Sequence, residues 1–93
     1  MTEVTEARTD DAQAPTAQAV LRHLVEALVE QRDAIQISVV DTGRETPRLE
    51  VRVARSDMGR VIGKRGRVAQ AIRTVVRAAA ARDGTDVEVE FED

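Results

Sequence analysis

The residues of this sequence best placed to do chemistry fall in one short run, Gly63-Lys64-Arg65-Gly66. Neither glycine has a Cβ, so the backbone there can come close to another chain. The two cations between them suit an anion, and a helix opening just after Gly66 would aim its first amides at the same place. Such parts would hold a phosphate. The same run also reads as a tight corner between two helices that binds nothing. Nucleotide hydrolysis fits poorly. A Walker A loop needs four residues between its first glycine and the Gly-Lys pair, then Ser or Thr. Here three residues separate Gly59 from Gly63, and Arg65 follows Lys64.

Other chemistries have few residues to work with. The chain of 93 residues has no cysteine, one histidine (His23), one phenylalanine, and neither Trp nor Tyr. A Cys-based metal site and the usual His-dependent nucleophilic centres are therefore not expected, nor is a row of stacking rings for bases. No pair of titratable groups stands out for acid–base catalysis, so the chain does not read as an enzyme, and no cofactor is implied. His23 reads as a boundary residue of a helix.

Net charge is −3, but it is unevenly distributed. Residues 55–82 carry eight bases against Asp57 alone, a local +7, whereas residues 83–93 carry six acids and no base. The basic segment is a plausible footprint for a polyanion. It would serve equally to neutralise the acidic strand that follows.

These residues need elements to position them. Residues 1–15, rich in Thr, Asp, Glu, Gln and Ala, read as a disordered acidic tail, and residues 16–93 as one domain. Thr16 is suited to cap a helix whose apolar pairs are Val20, Leu21, Leu24, Val25, Leu28 and Val29. Ile35, Ile37 and Val39 alternate with polar residues as a first strand; Leu49, Val51 and Val53 form a second. Val87, Val89 and Phe91 form a third. Ser56 would cap a short helix ending near Ile62, with Gly63 just past its end. A longer helix should run from about Arg67 to Arg82, burying Val68, Ala71, Ile72, Val75 and Ala79. The expected architecture is α+β, ordered α-β-β-α-α-β, with a three-stranded sheet packed on helices. The N-terminus has no secretory pattern and no stretch is long and apolar enough to cross a bilayer, so the expected location is cytoplasmic.

A Gly-x-x-Gly between two helices, after a hairpin and before another strand, resembles a KH domain of type II, the prokaryotic form. The run Val61-Ile62-Gly63-Lys64-Arg65-Gly66-Arg67, followed by Ala71-Ile72-Arg73-Thr74 and Arg77-Ala78-Ala79-Ala80, resembles the KhpA family of small bacterial single-KH proteins. The similarity spans about residues 17–91; Arg55 stands where many relatives would have proline, and the acidic tail is extra. The resemblance implies that Gly63, Lys64, Arg65 and Gly66 clamp single-stranded RNA by its backbone. Arg60, Arg67 and Arg73 would assist, and Ile62, with Val61 and Val53 as further candidates, would line a groove for bases. It further implies an RNA chaperone, or post-transcriptional regulator, of cell elongation and envelope synthesis. Its partner would be a larger KhpB-like KH protein or a second copy of the chain. A different reading is a protein-interaction adapter that keeps a degenerate KH fold for dimerisation.

Overall fold

A computed structural model describes residues 13–43 and 46–92. The expected tail lies outside them up to residue 12. Helix α1 (Pro15–Leu28) is followed by strands β1 (Gln36–Val40) and β2 (Arg48–Arg52), short helix α2 (Met58–Ile62), helix α3 (Arg67–Ala80) and strand β3 (Glu88–Glu92). The order is the expected α-β-β-α-α-β, and the fold is α+β.

The sheet runs β1-β2-β3. β1 and β2 pair antiparallel with Val39 opposite Leu49; β2 and β3 pair parallel with Leu49 beside Val89. Parallel pairing requires a crossover, and α2 and α3 supply it. Alternation then sorts the strand residues: Val39, Leu49, Val51, Val87 and Val89 are buried beneath the helices. Glu88, Glu90 and Arg52 are exposed, and Arg48 lies within 3.4 Å of Glu50 and 3.7 Å of Glu88.

From α1, Ala17, Leu21 and Val25 enter the core with no exposed surface, while Val20, Leu24 and Leu28 are half-buried at its margin. The helix takes in Pro15 at its start, and Thr16 is not its cap. Asp83, in the 3-10 turn after α3, performs that role from across the molecule. Its carboxylate oxygens accept the amides of Thr16 and Ala17, each at 3.0 Å. Burial pushes the Asp83 carboxyl up, but the Ala17 and Thr16 amides, the Thr16 hydroxyl and nearby Arg82 together hold it below its ordinary value.

The buried stripe of α3 differs from the expected one. Ala69, Ile72, Val76 and Ala80 face inward, whereas Val75 is 47% exposed, Ala71 is exposed, and Val68 and Ala79 are half-buried. The true stripe is rotated by about one residue, or about 100° of helix. α3 offers apolar residues on both arcs, and the packed interior takes the one carrying Ala69, Ile72, Val76 and Ala80. Val75 is left facing out.

Candidate nucleic-acid interface

α2 ends at Ile62 and α3 begins at Arg67, so the Gly-x-x-Gly run is the whole connection between them. Gly63 takes φ 76°, ψ 174°, a region essentially confined to glycine. A Cβ there would lie 2.3 Å from Val68 Cγ2 and 2.9 Å from the Val68 amide nitrogen, so Gly63 lets the loop fold back onto the first turn of α3. Gly66 also has positive φ, at 72°, yet nothing lies within 4 Å of where its Cβ would be. The first glycine is required by internal packing, and the second leaves an open flank. Between them Arg65 adopts φ 59°, ψ 24°, a left-handed conformation uncommon for a residue with a side chain.

Several amides of the loop are spent internally. Gly63 donates to the Gly59 carbonyl at 2.9 Å, Gly66 to the Gly63 carbonyl at 3.1 Å, and Arg67 to the Lys64 carbonyl. The first closes α2, and the other two form a 3-10 turn over Lys64–Gly66. The expected array of helix-opening amides is correspondingly reduced, and the loop presents side-chain charge more than bare backbone. Lys64, Arg65 and Arg67 are all exposed and make no ion pair among the described residues.

The other two expected cations are engaged elsewhere. Arg60 pairs with Glu30 and with Asp57, both at 3.3 Å. Arg73 donates to the Val89 carbonyl at 3.0 Å and to Gln70 at 3.3 Å, and its guanidinium lies 5.5 Å from the centre of the Phe91 ring. Each is held by tertiary partners, so the cationic cluster at the loop has three members, not five. Arg77 forms a bidentate pair with Asp86, at 2.9 and 3.1 Å, which raises the guanidinium and lowers the carboxyl relative to their ordinary values.

Among the apolar candidates, Ile62 and Val53 are half-buried against the core, while Val61 is fully buried and belongs to it. The open apolar surface lies on α3 instead. Leu24, Val68, Ala71, Ile72 and Val75, with the stem of Arg67, line a shallow groove of about 280 Å³. Sequence reasoning placed Val68, Ala71 and Val75 in the core and so missed it.

It also missed Asp57, which is 1% exposed. Its carboxylate accepts the amides of Glu30 at 3.1 Å and Gln31 at 3.0 Å, just beyond α1. Those two bonds, aided by Arg60, outweigh burial and hold the carboxyl below its ordinary range. One signal was available: Asp57 is the lone acid among eight bases.

The comparisons with known proteins agree on the fold and the family. The family model for the KhpA/KhpB KH domain matches residues 18–91. The RNA-binding protein KhpA of Clostridium acetobutylicum is 48% identical over 72 residues, covering 77% of this chain and 95% of that protein. KhpA of Borreliella burgdorferi is 39% identical over 74 residues, 80% and 89% of the respective chains. KhpA of Streptomyces coelicolor is 45% identical over 62 residues, 67% and 77% of the two. Among solved structures, Aquifex aeolicus Era superposes with a TM-score of 0.57 at 18% identity, covering 85% of this chain and 30% of Era, a likeness of fold. The mixed three-stranded sheet, the helix pair joined through Gly63–Gly66 and these matches lead to one assignment: the chain belongs to the KhpA/KhpB KH-domain family.

Proposed function

We propose that this protein binds single-stranded RNA by its backbone at the Gly63–Gly66 loop. One observation carries the reading: Lys64, Arg65 and Arg67 stand together, exposed and unpaired among the described residues, beside the open flank of Gly66. Three cations around a surface without a Cβ suit successive phosphates, and Arg adds a planar, two-pronged donor. Relatives named RNA-binding proteins support the ligand class. With few aromatic rings, contact falls mainly on phosphate and sugar, so sequence preference is slight. Gly63 shapes the loop from within, and Ile62 at its entrance offers apolar surface to a base. The test is the double substitution Lys64→Asp with Arg65→Asp, which should abolish RNA binding and leave the fold intact; unchanged affinity rejects the site.

A weak single site gains from pairing, because a second linked site raises effective concentration. The exposed Val75 and the apolar groove beside it favour a partner on the α1–α3 face, either a second copy or a larger KhpB-like KH protein. If that pairing survived loss of the loop's charge while RNA binding was dispensable in cells, the adapter reading would replace this one. No described helix is long and apolar enough to cross a membrane. We place the protein in the cytoplasm, where an RNA chaperone linked to cell elongation and envelope synthesis would act. That wider role rests on family resemblance.

A further inference from the structure

The loop that carries the cations hangs from a very short support. α2 has five residues, far below the length at which an isolated helix is stable in water. Its apolar attachment is Val61, fully buried, with Met58 and Ile62 half-buried beside it. Apolar contacts resist removal but are non-directional, so they leave the rotation and tilt of α2 weakly specified. Ile62 leads into Gly63 with no intervening linker, so any tilt of α2 is passed to Lys64 and Arg65.

Directional contacts converge at the other end of α2. The Asp57 carboxylate accepts two successive amides, those of Glu30 and Gln31, and lies 3.3 Å from Arg60 Nε. Arg60 reaches on to Glu30, and the Gln31 side-chain amide donates to Ser56 Oγ at 3.0 Å. Three residues at the start of α2, Ser56, Asp57 and Arg60, are thus tied to two residues at the exit of α1, Glu30 and Gln31. Seven residues separate Asp57 from Lys64, about 10 Å at helical rise, so a tilt of about 10° would carry the loop by about 2 Å.

We infer that Asp57 is a positioning residue for the RNA-binding loop, mooring α2 to the exit of α1 so that Lys64, Arg65 and Arg67 are held in one arrangement. The inference rests on the proposed function for its consequence in binding, and on geometry alone for its consequence in the loop. Charge and positioning predict opposite signs. Asp57 is the one acid in a strongly basic segment, so on charge alone its removal strengthens RNA binding. Loss of the mooring weakens it. A purely global role in stability would leave the affinity of folded protein unchanged.

The test uses Asp57→Asn, which keeps the shape but places an NH2 against donors. It has two readouts, hydrogen exchange of the amides at 63–68 and anisotropy of a fluorescein-labelled oligouridine. Should the moored fraction fall to about one fifth, apparent Kd rises about fivefold, despite the lost negative charge. Loop amides should exchange faster while core amides such as those of Val25 and Val76 keep their protection relative to global stability. A folded Asp57→Asn protein that binds as tightly as the parent or more so, or whose loop exchange is unchanged, overturns the inference. If that variant fails to fold, Asp57→Ser, which keeps a single acceptor oxygen for the Glu30 and Gln31 amides, is read by exchange alone. Unaltered exchange at 63–68 then overturns it. A parent protein that binds no oligouridine rejects the proposed function, while the exchange readout still decides the mooring.

Discussion

Salt dependence gives the most direct measure of how many cations the proposed loop site brings to an RNA strand. The structure leaves three unpaired, Lys64, Arg65 and Arg67, and commits Arg60 and Arg73 to protein partners. At about −0.7 per neutralised phosphate on a single strand, three contacts predict a slope of log K on log salt of about −2.1. Raising salt from about 50 to about 200 mM should then weaken binding about 18-fold. If Arg60 and Arg73 also joined, five contacts would give about −3.5 and a loss of about 130-fold over the same range. Replacing Lys64 and Arg65 by Asp leaves only Arg67 beside two introduced acids, so binding should fall below detection throughout the salt series. The assay is anisotropy of a labelled oligouridine across a salt series for both proteins. A parental slope near −3.5 would mean that Arg60 and Arg73 abandon their partners on binding. A slope that the double substitution does not change would refute the placement of the site.

Three other outcomes follow from particular residues. Gly66→Ala incurs only the left-handed conformation, about 1 kcal/mol, while Gly63→Ala adds a collision with Val68 and should lose about 3 kcal/mol; urea melts of the two variants measure the difference. Asp83→Asn removes a carboxylate whose folded value lies below its ordinary 3.8. Its stabilisation is complete above that ordinary value and is lost as pH falls through the lower folded one. The variant should therefore melt below the parent at neutral pH, and the gap should close in acid; a gap that persists or widens contradicts the capping role. Val75→Glu should abolish self-association, or capture of a KhpB-like partner, in sedimentation velocity, with loop amides unaffected; unaltered association moves the partner off the α1–α3 face.

The three strands were legible because each carries one apolar face at a period of two. Ile35 to Val39, Leu49 to Val53 and Val87 to Phe91 have only one way to bury it. α3 was harder, since Val75 and Val76 are adjacent and compete for the same inward position. Only tertiary packing, which buries Val76 and leaves Val75 exposed, decides between them. Local capping residues misled for a related reason. Thr16 and Ser56 have suitable side chains, but it is Asp83 that takes the first amides of α1, and Asp57 those just beyond its end, each from tens of residues away. Short-range pattern cannot show a carboxylate arriving from elsewhere. The loop was legible as a motif, yet the division of labour between its glycines depends on where Val68 lies. The status of Arg60 and Arg73 depends on neighbours brought near by folding.

The parallel pairing of β2 with β3 has a bearing on how a newly synthesised polypeptide acquires its activity. β2 finds its second neighbour only after both crossover helices have been made, and α1 receives its Asp83 oxygens at nearly the same moment. Residues 63–66 lie inside both of these long-range closures. A ribosome that has released the basic stretch, but not yet the acidic strand beyond it, exposes positive charge on an unfinished sheet. The surroundings of the loop are therefore complete only once the strand that closes the sheet has emerged.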